Sequence, residues 1–64
     1  MLTIREKEVL NLLAQGYTNL EIAQMLNIST HTAKAHVASI LKKFNVKNRL
    51  LAVVAAKNYN NLED

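Results

Sequence analysis

The stretch ISTHTAKAHVASILKKF, from Ile28 to Phe44, decides how the whole chain is read. Within it Ala33, Val37, Ile40, Leu41 and Phe44 recur at i, i+4, i+7, i+8 and i+11, the apolar stripe of a helix lying on a core. The other face carries Thr30, His31, Lys34, Ala35, Ala38 and Lys42. That face is small, polar and basic, and it has no carboxylate. A helix that needs only solubility normally mixes both signs of charge. Leaving out acid while keeping side chains small suits a helix that slides into a negatively charged groove. The stretch therefore reads as a DNA-recognition helix over about residues 30–44, roughly 22 Å long at ~1.5 Å per residue.

The residues before it read as its mount. Asn27-Ile28-Ser29 is a tight link: Asn tolerates the left-handed region, Ile28 plugs the core and Ser29 caps the long helix. Ahead of the link, Thr18-x-x-Glu21 is a capping box opening a short helix over about Asn19 to Leu26, with Tyr17 and Ile22 placed as a hydrophobic staple. Ile22, Ala23 and Leu26 face inward, and Leu20 is left exposed. Two helices joined this tightly, the second longer and basic, make a helix-turn-helix. Earlier still, Thr3-x-x-Glu6 is another capping box. It opens a helix that buries Val9, Leu10, Leu12 and Leu13 and leaves Arg5, Glu6, Lys7 and Glu8 in water. Gly16 ends that helix by taking the left-handed conformation, with Tyr17 closing a Schellman-type end.

After the recognition stretch, Asn45-Val46-Lys47 is a turn and Asn48 caps a last helix, NRLLAVVAAK. Ala52, Val53 and Ala56 can face the core. Leu50, Leu51 and Val54 then lie on another side, and such a stripe on a terminal helix of a small domain usually marks an interface. Residues 58–64 are a polar, asparagine-rich tail expected to fray.

Composition bounds these readings. With 64 residues, half of them apolar, one glycine and no proline, the chain makes one all-α domain of four helices. The absence of cysteine removes disulfides and thiolate zinc sites. No apolar run approaches the ~20 residues of a membrane span, and no signal-peptide pattern opens the chain, so a cytoplasmic home and no membrane contact are expected. The formal net charge is +3, but its distribution matters more. Between Ile22 and Leu62 stand Lys34, Lys42, Lys43, Lys47, Arg49 and Lys57 with no acid. A basic block that coincides with the recognition stretch points to a polyanion partner.

Taken together the chain resembles the LuxR-type (GerE-type) helix-turn-helix domain. The matching stretches are Leu2-Thr3 with Arg5-Glu6 and Glu8-Val9-Leu10; Gly16 through Asn19; Glu21-Ile22-Ala23; Ile28-Ser29 with Thr32, Lys34, His36 and Val37; Ile40-Leu41 with Lys43; and Val46-Lys47-Asn48-Arg49 with Ala52. Each is weak alone, but their order and spacing are specific, and they run from Leu2 to about Ala56. The resemblance implies a domain over 1–57, with the third helix in the major groove of double-stranded DNA and the fourth forming a two-fold homodimer. It puts Lys34, Ala35 and Ala38 nearest base edges. Thr32, His36, Lys43, Lys47 and Arg49 come at phosphates or support those contacts, and Leu50, Leu51 and Val54 on or beside the dimer surface. Ala33 stands where the family usually has Val, thinning the core by on the order of 1 kcal/mol. Leu20 stands where Lys is frequent. Most members carry a receiver or ligand-sensing domain upstream, so the chain is expected to be a short stand-alone member or an excised effector domain.

The chemistry of the residues agrees. Lys34 can donate to guanine O6 and N7, whereas Ala35 and Ala38 offer only apolar contact, for example to a thymine methyl. Specificity would then rest partly on DNA shape. Lys42, Lys43, Lys47 and Arg49 are placed for phosphates, which position without specifying. Arg49 has a rival role, an ion pair with Glu6 or Glu8. Thr30, Thr32 and the first amides of the helix can donate to a phosphate. His31 and His36 lie about 140° apart on a helix at ~100° per residue and cannot share a metal ion. His36 is expected at the core edge. No catalytic pair, phosphate loop or room for an ordinary pocket is evident, so neither an enzyme, a cofactor nor a small-molecule ligand is expected. The expectation is sequence-specific binding of duplex DNA by a bacterial transcription regulator, with RNA polymerase as a further candidate partner. Two alternatives stay open: a sigma-factor-like promoter-reading region, and a protein-interaction module using the Leu50, Leu51 and Val54 stripe.

Overall fold

Local capping chemistry sets the bounds of four helices, α1 (Ile4–Ala14), α2 (Asn19–Leu26), α3 (Thr30–Lys43) and α4 (Arg49–Glu63). The computed structural model describes the backbone of residues 1–63 and the side chains of residues 1–58. Both capping boxes form. The Glu6 amide donates to Thr3 Oγ1 at 3.1 Å and the Thr3 amide to Glu6 Oε1 at 2.9 Å. The Glu21 amide donates to Thr18 Oγ1 at 3.2 Å and the Thr18 amide to Glu21 Oε1 at 2.9 Å. Ser29 Oγ accepts from the Thr32 amide at 3.0 Å, and Asn48 Oδ1 accepts from the Leu51 amide at 2.9 Å. Each removes a helix-start donor that would otherwise stand unpaired.

Three helices close in the same way. Gly16 (φ 95°), Asn27 (φ 56°) and Asn45 (φ 55°) turn the chain left-handed. After α1, the Gly16 amide donates to the Leu13 carbonyl at 3.0 Å and the Tyr17 amide to the Leu12 carbonyl at 3.2 Å. The Ile28 amide reaches Ala23 at 2.9 Å and the Val46 amide reaches Leu41 at 3.0 Å, the matching bonds after α2 and α3. The next residue is apolar each time, and Tyr17, Ile28 and Val46 all pack on the core. That is the hydrophobic contact of a Schellman end, and it turns three short links into fixed corners.

The core takes Leu2, Val9, Leu10 and Leu13, with Ile22 and Ala23 from α2, Ala33, Val37 and Ile40 from α3, and Ala52 and Ala56 from α4. α2 packs most closely on α3, and α1 lies across α3 and α4. Buried Ala23 and Ala33 keep side-chain volume low within the α2–α3 pair. The stripe read from the sequence is the buried face of α3, and Leu20 is exposed as expected.

Three expectations are corrected. Glu6 is not in water but only 4% exposed. Its carboxylate is matched by groups from the far end of α3, so burying it leaves no charge unpaired. α4 continues as helix to Glu63, through most of the stretch read as a frayed tail; no proline or glycine stands there to stop it. An open hollow of about 300 Å³, at the lower limit of ordinary pocket size, lies between Met1, Leu2, Lys43 and Phe44, where no room for a pocket of ordinary size was expected. Its charged group, the Lys43 ammonium, is already held by Glu6.

Candidate nucleic-acid interface

α3 is anchored along one side by Ala33, Val37 and Ile40, all buried, and this fixes which residues it shows to solvent. Thr30, Lys34, Ala38 and Lys42 stand four apart and form one row; His31 and Ala35 form the row beside it. All six are exposed, as are Thr32 and, in the link to α4, Lys47. Thr32 also receives the Ser29 hydroxyl on its Oγ1 at 2.8 Å, so the first turn is braced from the side chains as well as the backbone. The surface is convex, narrow and free of acid along the whole of α3. Its side chains beyond Cβ are chiefly the two lysines and the hydroxyls and imidazole near the helix start. His36 is half-buried at the edge of the packed stripe, as expected.

Two of the cations assigned to phosphates have partners inside the domain. Lys43 Nζ donates to Glu6 Oε1 at 2.7 Å and to the Met1 carbonyl at 3.1 Å. Ser39 Oγ donates to Glu6 Oε2 at 2.6 Å. Nine residues at ~100° each put Lys43 about opposite Lys34 on the helix, so its direction follows from the spacing. The Lys43 ammonium, then the Ser39 hydroxyl and the Thr3 amide, hold the Glu6 carboxyl down from its ordinary 4.5 to about 2, against the opposing effect of burial. Arg49 makes neither the Glu6 nor the Glu8 ion pair. Its Nη1 donates to Asn19 Oδ1 at 2.7 Å and its Nη2 to the Tyr17 carbonyl. Glu8 instead faces Arg5 at 3.8 Å on the surface of α1, a pair worth little. The sequence reading missed Ser39 and Asn19 altogether. The i, i+4 pair Ser39 and Lys43 was the available signal for a shared acceptor.

Leu50, Leu51 and Val54 on α4 are 72%, 45% and 51% exposed, while Ala52 and Ala56 of the same helix are fully buried. Among the described residues no group of three His, Cys, Asp or Glu could hold a metal ion, and no helix is long and apolar enough to cross a membrane.

A short helix, a tight left-handed turn and a longer helix with an exposed, acid-free face define a helix-turn-helix domain. The family described as "Bacterial regulatory proteins, luxR family" matches residues 1–56. The chain belongs to that family, and it carries the DNA-binding domain of a transcription regulator. It is 48% identical over 60 residues to the "Response regulator protein VraR" of Staphylococcus aureus, and equally to the proteins of that description from Staphylococcus saprophyticus and Staphylococcus epidermidis. Each alignment covers 94% of this chain and 29% of the relative, so the chain spans under a third of the curated relatives it matches.

Proposed function

We propose that this domain reads duplex DNA sequence-specifically, with the N-terminal half of α3 in the major groove, as the output domain of a response regulator. The observation that carries the reading is the exposed face Thr30, His31, Lys34, Ala35, Ala38 and Lys42, acid-free on a helix whose opposite face is locked into the core. Lys34 donates to a base edge, and Ala35 and Ala38 let the backbone approach and touch thymine methyls. Lys42 and Lys47 bind phosphates, with Thr30 and Thr32 at the helix start. His31 and His36 flank these contacts. Lys43 and Arg49 support them by holding the scaffold. Two copies pair through Leu50, Leu51 and Val54, which places two recognition helices on two-fold-related half-sites.

Titrating salt against binding to a fluorescent duplex tests this. Two to three free lysines per protomer predict a slope of log affinity against log salt of roughly −4 to −5 for the dimer. Duplex binding that is absent, or flat with salt, would favour a protein-interaction module and sink the proposal.

A further inference from the structure

The helix proposed to pair the protomers meets the helix proposed to read DNA over only a small contact. α4 lies along α1 and touches α3 less extensively, and among the described residues its backbone does not come close to that of α2. Arg49, the first residue of α4, spans that gap. Its guanidinium is half-buried and donates to two acceptors at once, the side chain of Asn19, first residue of α2, and the carbonyl of Tyr17, which closes α1. A planar fork on two acceptors fixes direction as well as distance, which a single ammonium cannot do. The strut therefore ties the first turn of α4 to the joint where the helix-turn-helix begins. Leu50, Leu51 and Val54 follow directly on α4.

We propose that Arg49 is a positioning residue that sets the angle between the dimer helix and the helix-turn-helix, and so determines which half-site spacing the dimer accepts. Changing the spacing by one base pair moves a half-site by about 3.4 Å and turns it by about 34°. A protomer held by the strut cannot follow that change. Without the strut, the angle of α4 rests on the seat of Ala52 and Ala56 in the core alone, and the protomer follows the change more readily. The inference rests on the dimer proposed above.

The test uses inverted-repeat duplexes built from the half-site that the wild-type protein enriches from a random duplex pool, with the spacer changed one base pair at a time. Wild type binds one spacing well above its neighbours. In Arg49→Met the preference between best and neighbouring spacings falls about fivefold or more, as expected for losing two charge-assisted hydrogen bonds, while affinity for a single half-site falls by a smaller factor. Arg49→Lys falls between the two. Asn19→Ala, which removes one acceptor and leaves the Tyr17 carbonyl, flattens the preference partially; it decides the matter if Arg49→Met does not fold. An unchanged spacing preference, or an equal loss at every spacing and at the half-site, overturns the strut and leaves the dimer standing. A wild-type protein that enriches no inverted repeat overturns both.

Discussion

Replacing Glu6 by Gln removes one negative charge from a buried, fully hydrogen-bonded polar cluster. The carboxylate is 4% exposed and accepts from Lys43 Nζ at 2.7 Å, Ser39 Oγ at 2.6 Å and the Thr3 amide at 2.9 Å. Lowering its pKa from 4.5 to about 2 corresponds to on the order of 3 kcal/mol, at about 1.4 kcal/mol per pH unit. The Lys43 side chain keeps 35% of its exposure, so solvent screening and its freedom to turn to water reduce the expected effect to about 2 kcal/mol. The folded pKa is depressed, so the stabilisation is present above about pH 4.5 and is lost as pH falls toward 2. A domain this size holds roughly 3–9 kcal/mol in all, so the loss is a large share, equivalent to a fall of about 10 °C in Tm. Urea unfolding followed by circular dichroism at pH 7, 5, 4 and 3 measures it. Wild type should exceed Glu6→Gln by about 2 kcal/mol at pH 7 and 5, with the gap narrowing below pH 4. A difference under about 0.5 kcal/mol at pH 7, or one that does not narrow in acid, refutes the reasoning.

Other perturbations follow from the same geometry. Lys34→Ala should relax preference at one base position at a cost of roughly 1–3 kcal/mol in binding; a uniform loss across sequences would put Lys34 at a phosphate. Val54→Asp should stay folded, since Val54 is 51% exposed, and should sediment as a monomer with weak DNA binding; an unfolded product would make Val54 part of the core. Gly16→Ala should cost on the order of 1 kcal/mol in urea unfolding, because the φ of 95° is strained for a Cβ that would otherwise meet nothing within 4 Å. A neutral result would show that the link after α1 can relax into another turn.

The features legible in the sequence are those that close over three or four residues. Thr3 with Glu6, Thr18 with Glu21, Ser29 and Asn48 each meet their partner within one helical turn, so spacing alone finds them. The buried face of α3 was legible because its period is the helix's own, and the exposed face followed from it. What escaped were side chains paired across the fold. Glu6 sits at the third position of its helix, where a capping carboxylate usually meets water; its other partners lie 33 and 37 residues away. The Arg49 acceptors, a neutral amide and a backbone carbonyl 30 and 32 residues back, carry no charge to point to them. The reach of α4 was also missed, since asparagine-rich composition argues for fraying, while the absence of proline and glycine lets the helix run on.

Selection from a fully random duplex library at about 0.15 M salt puts the central reading to its most direct test. A sequence-reading dimer predicts enrichment of an inverted repeat whose half-sites lie about one helical turn apart, ~10 base pairs centre to centre. Enrichment of a single asymmetric site, or of no sequence at all, would contradict it.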